Sequence, residues 1–337
     1  MESLIVQMVL LQYSWRGEMN MKKRWKSVLA VCLIVTTALV FTGCGAKGKS
    51  SDQLKSKKAF TGKYIVSAKY AAKQVGKKNV LFVDCRGADE AKKGTVKGAI
   101  ATTWQDLCTC GSQYGKAGDK NWGKIPSASD LSARLSKLGM TKNKKIYLVG
   151  LTLDGWGDDA RVLWELNAAG FTNARIVNGG YQALKDAGVK TQKGASAPKA
   201  ASVKVSKINY NHTVTTEELQ KHYKDYKIID VRTKAEYNGA TKYKEAKGGH
   251  LPDAVFMPYT DFFREDGTLI SKKDIDTMMK KAGISKDDKI VAYCTGGIRS
   301  AYIQLVLEMS GYKHTYNYDQ SYWRWCRVGK VSTTKTK

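Results

Sequence analysis

The sequence predicts an α/β protein made of two similar halves, each an open, mainly parallel sheet flanked by helices. Short apolar runs alternate with helical stretches, the pattern of parallel strands joined by crossover helices. Segments of like character recur in the same order in residues 61–189 and 208–328. In both halves the first strong apolar run ends in Asp-x-Arg, as Asp84-Cys85-Arg86 and as Asp230-Val231-Arg232.

The chain opens with a leader, residues 1–44. From Met21, Lys22-Lys23-Arg24-Trp25-Lys26 supplies a positive segment, and Val28 to Phe41 is an apolar run of secretory-signal length. That run is short for a membrane span. Small residues lead into Cys44 in Phe41-Thr42-Gly43-Cys44, which resembles the lipobox of bacterial lipoproteins, with Phe41 where Leu is usual. The resemblance implies lipid attachment at Cys44 and a chain tethered on the extracytoplasmic face of a bacterial cell membrane. Residues 1–20 precede a complete signal, and Arg16-Gly17-Glu18 is what a purine-rich ribosome-binding site would encode if read through. Translation is therefore expected to begin at Met21; a precursor peptide starting earlier would refute this. A polar tether follows over 45–60.

The first repeat covers 61–189. Tyr64-Ile65-Val66-Ser67 leads into a helix with a hydroxyl N-cap, as His212-Thr213-Val214-Thr215 does in the second repeat. Gly98-Ala99-Ile100 parallels Gly249-His250-Leu251-Pro252-Asp253-Ala254, and Lys145 to Val149 parallels Lys289 to Tyr293. Ala168-Ala169-Gly170-Phe171 likewise parallels Met309-Ser310-Gly311-Tyr312. After the strand ending at Val149 there is no cysteine, and Asp154, Asp158 and Asp159 would oppose an anion there. This half reads as catalytically silent, and its acidic loop does not have calcium-loop spacing. Cys85, Cys108 and Cys110 lie in it. A Cys108–Cys110 ring looks strained, so Cys85 is expected to pair with one of the two, three free thiols being the other reading. The Lys-, Ala- and Ser-rich stretch 190–207 reads as the connection between halves, long enough to wrap around one of them.

The second repeat, 208–328, holds the chemistry. Val291 to Tyr312 is a buried strand, a turn through Cys294-Thr295-Gly296-Gly297-Ile298-Arg299, and a helix with apolar Tyr302, Leu305, Val306 and Met309. A cysteine at a strand-to-helix junction meets converging N–H groups and the helix dipole, which favour the thiolate. Arg299 adds a positive charge. A buried structural cysteine is the bland alternative. The run CTGGIRS resembles the active loop of rhodanese-type sulfurtransferases, and supporting motifs extend the resemblance over about residues 60 to 328. Among them, Gly249 to Ala254 resembles the family's G-H-I-P-G-A turn, and Tyr318-Asp319-Gln320-Ser321-Tyr322-Trp323-Arg324-Trp325 its Y-D-G-S-W-x-E-W stretch, with Gln320 in place of Gly.

The resemblance implies tandem rhodanese-like domains and a thiosulfate or 3-mercaptopyruvate sulfurtransferase. Cys294 would take the outer sulfur of a small anionic donor and hold it as a persulfide, cradled by N–H groups of Thr295, Gly296, Gly297, Ile298, Arg299 and Ser300. Cyanide or a thiol acceptor would then remove it, with ping-pong kinetics and no metal or organic cofactor. Asp230, Arg232 and His250 would organise the neighbouring turns. Thr295 and Gly296 favour neither donor, and Glu236 stands where some two-domain members carry a donor-binding Arg.

A cysteine phosphatase or arsenate reductase is disfavoured, since Cys294-x4-Arg299 is one residue short of the loop those need. A lipid-anchored persulfide carrier or binding module is the non-enzymatic alternative. Cys326 could resolve a persulfide or be a core bystander. The formal charge of +27 is spread along the chain with no recognition motif, which points to a solvated basic surface and away from nucleic acid.

Overall fold

The structure, a computed structural model, describes residues 59–333, which fall within one compact unit. The leader, Cys44, the Met21 start and most of the 45–60 tether lie outside the described residues.

The first half runs β1 (Ile65–Ser67), α1 (Ala68–Ala72), β2 (Val80–Asp84), α2 (Ala88–Lys93), β3 (Thr95–Val96), β4 (Ile100–Ala101), α3 (Ala128–Leu138), β5 (Lys145–Val149), α4 (Asp158–Ala168), β6 (Ala174–Asn178), α5 (Gly180–Asp186) and β7 (Thr191–Gln192). Its sheet has the order β1-β6-β5-β2-β4, all parallel. The second half runs α6 (Thr216–Lys221), β8 (Lys227–Asp230), α7 (Lys234–Tyr237), β9 (Val255–Phe256), α8 (Lys272–Lys281), β10 (Lys289–Tyr293), α9 (Ile298–Met309), β11 (His314–Asn317) and α10 (Ser321–Val328). Its sheet, β11-β10-β8-β9, is also parallel. The two orders coincide from β6-β5-β2-β4 to β11-β10-β8-β9. The counterpart of β1 has shrunk to one parallel bridge, Thr213 with Asn317.

Local signals set these boundaries. Ser67 and Thr215 accept from the N–H groups of Tyr70 and Glu218 and so cap α1 and α6. Thr233 with Glu236, and Ser271 with Asp274, close capping boxes on α7 and α8.

Helices α4 and α9 follow equivalent strands and pack on each other between the sheets. Both are buried on nearly every side, through Val162, Leu163 and Leu166 on one and Ala301, Tyr302, Leu305 and Val306 on the other. The main apolar cluster therefore runs unbroken from Tyr64 and Ile65 in the first half to Ile303 and Tyr312 in the second.

The 190–207 segment lies along the first half. Its β7 pairs antiparallel with β3, and Ala201 and Val203 donate to Ser136 while Val205 donates to Ser132.

One expectation is corrected. Cys108 is bonded to Cys110, with Cα atoms 5.4 Å apart, and Cys85 is a free, buried thiol. The chain turns back at Thr109, where the Cys110 N–H donates to the Cys108 carbonyl, and this puts both sulfurs on one side. Cys85 instead points into the core beside β2, its Sγ 3.7 Å from the Val83 carbonyl. Burial, with Asp159, Asp84 and Asp158 nearby, pushes its thiol well up.

Candidate active site

The second sheet ends in parallel register with Asp230 beside Tyr293, so the residues after β8 and β10 share one edge of the sheet. Cys294 is the first residue after β10. It is 1% exposed, and the helix it faces begins at Ile298 with Gly297 as N-cap.

The loop between them is folded with its carbonyls outward. Cys294 and Thr295 carbonyls accept from the N–H groups of Tyr322 and Trp323 at the start of α10, both at 3.0 Å. The Gly297 carbonyl accepts from Asn317 Nδ2 at 3.2 Å and from Arg161 Nη1 at 3.1 Å. With the carbonyls held outside, N–H groups are left to face the sulfur, and the Gly297 N–H lies 3.2 Å from Cys294 Sγ. The Ser300 hydroxyl stands 3.7 Å from the same sulfur and 2.7 Å from Asn317 Oδ1, so its one proton has two acceptors.

Burial alone would push the Cys294 thiol up. The Arg299 charge, the Ser300 N–H and hydroxyl, and the Gly296 N–H outweigh it, and the thiol sits below its ordinary value.

Two glycines are needed for different reasons. Gly297 adopts φ +82°, and a Cβ there would run into the Asp319 carbonyl. Gly296 has no such backbone demand, but a Cβ would strike the Trp323 ring. Ser321, at φ +49°, is one of the few non-glycine residues in the left-handed region, and its hydroxyl accepts from the Cys294 N–H at 3.0 Å.

Arg299 does not reach toward open solvent. Its guanidinium is buried and binds Glu236 through two bonds, Nη1 to Oε2 at 2.9 Å and Nη2 to Oε1 at 2.7 Å. The Thr295 hydroxyl donates to the same carboxylate at 2.6 Å. Burial would raise the Glu236 carboxyl, yet the hydrogen bonds and charge of Arg299, with Thr295 and the Thr233 N–H, hold it at about 2. Glu236 thus joins the site as the partner of Arg299. Its signal in the sequence is Thr233-x-x-Glu236, a capping box that aims the carboxylate at the loop.

Asp230, Arg232 and His250 form the frame beside the loop. Arg232 is fully buried, grips Asp230 through Nε and Nη2, donates to the Gly249 carbonyl at 2.7 Å and lies over the Tyr322 ring at 3.9 Å. Tyr293 donates to Asp230 and accepts from the Leu251 N–H. His250 stacks on Tyr237 with ring centres 3.8 Å apart, and its Nδ1 is 3.0 Å from the Tyr237 carbonyl. Cys326 lies in the cluster of Tyr293, Tyr318, Tyr322 and Trp325, its Sγ on the Trp323 carbonyl at 3.4 Å.

The first half repeats the frame but not the cysteine. Asp84, Arg86, Thr95 and the Gly94 carbonyl reproduce the Asp-x-Arg arrangement. Gly150 stands where Cys294 would be, and the Asp159 carboxyl fills the space a side chain there would need. Burial, with Asp158 beside it, pushes Asp159 up to about 8, and burial takes Asp158 to about 6. Among the described residues no group of three or more His, Cys, Asp or Glu is placed to hold a metal ion.

A family profile for the rhodanese-like domain matches residues 67–187 and 215–327, together more than half of the chain. The chain belongs to the rhodanese family. This rhodanese is 26% identical over 191 residues to SseB of Mycobacterium tuberculosis, covering 56% of this chain and 66% of SseB. Against the thiosulfate sulfurtransferase of Pseudomonas aeruginosa it is 24% identical over 263 residues, 77% of this chain and 93% of the relative. The anaerobic ergothioneine biosynthesis enzyme of Chlorobium limicola, solved with trimethyl histidine, superposes with a TM-score of 0.68 at 19% identity, covering 80% of this chain and 70% of that one. That likeness carries the fold, and the family carries the coarse chemistry, a rhodanese-type sulfurtransferase.

Proposed function

We propose that this rhodanese moves sulfane sulfur from thiosulfate or 3-mercaptopyruvate to cyanide or a thiol through a persulfide on Cys294. The observation that carries the reading is the Gly297 N–H 3.2 Å from a Cys294 sulfur whose thiol is held below its ordinary value. The thiolate attacks the outer sulfur of the donor, the S–S or S–C bond breaks, and sulfite or pyruvate leaves. The persulfide's terminal sulfur keeps a negative charge that loop N–H groups can meet. The acceptor attacks that sulfur and frees the Cys294 thiolate. Because Glu236 neutralises Arg299, donor anions are recognised by the N–H cradle more than by a free guanidinium.

Residues 208–328 are taken as the catalytic half and 61–189 as its silent support. The chain is further proposed to be a lipoprotein joined at Cys44 to the outer face of a bacterial cell membrane; radiolabelled palmitate that fails to enter the wild type would count against it.

The test is intact mass of the protein from Gly45 onward after incubation with each donor, beside Cys294→Ser. One added sulfur, absent from the variant and released as thiocyanate by cyanide, is expected. No adduct with either donor would remove the reading. A persulfide that forms but turns over negligibly with cyanide and small thiols would favour a sulfur carrier. The near-complete burial of Cys294 is the observation that keeps this second reading in play.

A further inference from the structure

We propose that Arg161, in the silent half, is a positioning residue for the Cys294 loop: its guanidinium anchors Gly297 by its carbonyl and so holds in place the residue whose own N–H lies 3.2 Å from the sulfur. The inference rests on Cys294 being the residue that carries sulfur.

Arg161 lies on α4 and is fully buried. Nη1 donates to the Gly297 carbonyl at 3.1 Å and leans toward the Asp319 carbonyl at 3.4 Å. Nη2 donates to the Gly123 carbonyl at 2.9 Å, and Nε to Glu165 Oε1 at 3.0 Å. One fork therefore ties together the reactive loop, the turn before α10 and a loop of the first half. Burial pushes the Glu165 carboxyl up to about 8 despite this contact.

The Gly297 carbonyl and the Gly297 N–H lie in neighbouring planar peptide units that share one Cα, so pinning the carbonyl limits how far the N–H can swing from the sulfur. Gly296 and Gly297 carry no Cβ to restrict their backbone, so the loop depends on contacts from outside it to keep the Gly297 N–H on the sulfur. Rotating the Gly297 carbonyl away would also strip a buried guanidinium of an acceptor. Asn317 Nδ2 holds the same carbonyl from within the second half, but it brings no charge. This explains a buried cation in a half that lacks the nucleophile.

The test compares Arg161→Gln and Arg161→Met in the full chain. Gln places its amide near the position of Nε, keeping the Glu165 contact while falling short of Gly297; Met removes every bond. The readouts are the thermal melt, the pH dependence of iodoacetamide modification at Cys294 followed by peptide mass, and kcat and KM for sulfur loading. A cooperative melt is expected, with the alkylation midpoint raised by about one pH unit. Loading kcat is expected to fall by about tenfold or more, with donor KM within about twofold of wild type. Either folded variant with a wild-type midpoint and kcat would overturn the proposal and leave Arg161 as packing between α4 and α9. A raised midpoint in the variants, with no sulfur loading in the wild type, would support the positioning and reject sulfur transfer.

Discussion

Arg299 and Glu236 meet through two parallel hydrogen bonds of 2.9 and 2.7 Å, buried at the edge of the Cys294 loop. The pair ties α7 to the start of α9, and through Thr295 it fixes the residue next to Cys294. A bidentate Arg–carboxylate contact of this kind sets orientation as well as charge.

Removing one partner leaves the other charged and unpaired. Glu236→Gln is expected to lose about 3 kcal/mol of stability at pH 7, read by urea denaturation. The pH dependence supplies a second check. The folded carboxyl at about 2 lies below the unfolded value, so its stabilisation is full above the unfolded pKa and is lost as pH falls through the folded one. Wild type should therefore lose its advantage over the variant between about pH 5 and pH 2. A constant difference across that window would refute the assignment.

Asp159 acts in the opposite sense. Its folded value of about 8 lies above that of an unfolded aspartate, so the folded state holds the proton more tightly and stability declines as pH rises toward 8. Asp159→Asn should flatten that decline and be the more stable protein at pH 9. Parallel wild-type and variant curves from pH 5 to 9 would mean that Asp159 ionises normally.

Gly296→Ala tests shape alone, because the backbone at this position asks for no positive φ. The added methyl meets the Trp323 ring, and loading of Cys294 is expected to fall by about tenfold or more. Gly296→Ala combined with Trp323→Leu should recover much of it. Failure of the double variant to exceed the single one would place the defect in the loop itself.

The cysteines can be counted directly. In denatured, unreduced protein from Gly45 onward, maleimide should label three thiols, Cys85, Cys294 and Cys326. Reduction first should add the Cys108–Cys110 pair. Label on Cys108 without reduction, or protection of Cys85, would contradict the pairing.

The tandem α/β architecture was legible because it was written twice. Asp84-x-Arg86 and Asp230-x-Arg232 close the same hydrogen bonds in each half, and Ser67 and Thr215 cap equivalent helices. The placement of Cys294 beside converging N–H groups follows from a strand-to-helix turn, a short-range pattern. What could not be read lies across the halves, where partners are far apart in the chain. Arg161 contacts Gly297 at a separation of 136 residues. Gln320 looked like a mere departure from the pattern, yet its Nε2 reaches the carbonyls of Asp119, Lys120 and Trp122 in the first half. Glu236 was visible as the third residue of a capping box, but its grip on Arg299 depends on the loop closing over it. The Cys108–Cys110 bond was misjudged because the turn at Thr109, pinned by Lys124 and Asn121, is itself a long-range product.

The unbroken apolar cluster shared by α4 and α9 has a consequence for how the protein is made. The chain is synthesised from its N-terminus, so residues 158–168 leave the ribosome well before 298–309 exist to cover them. Until then one flank of the first half is an open greasy surface, and the nascent chain has every reason to engage a chaperone or to fold late. A gene fragment encoding either repeat alone would inherit an uncovered seam.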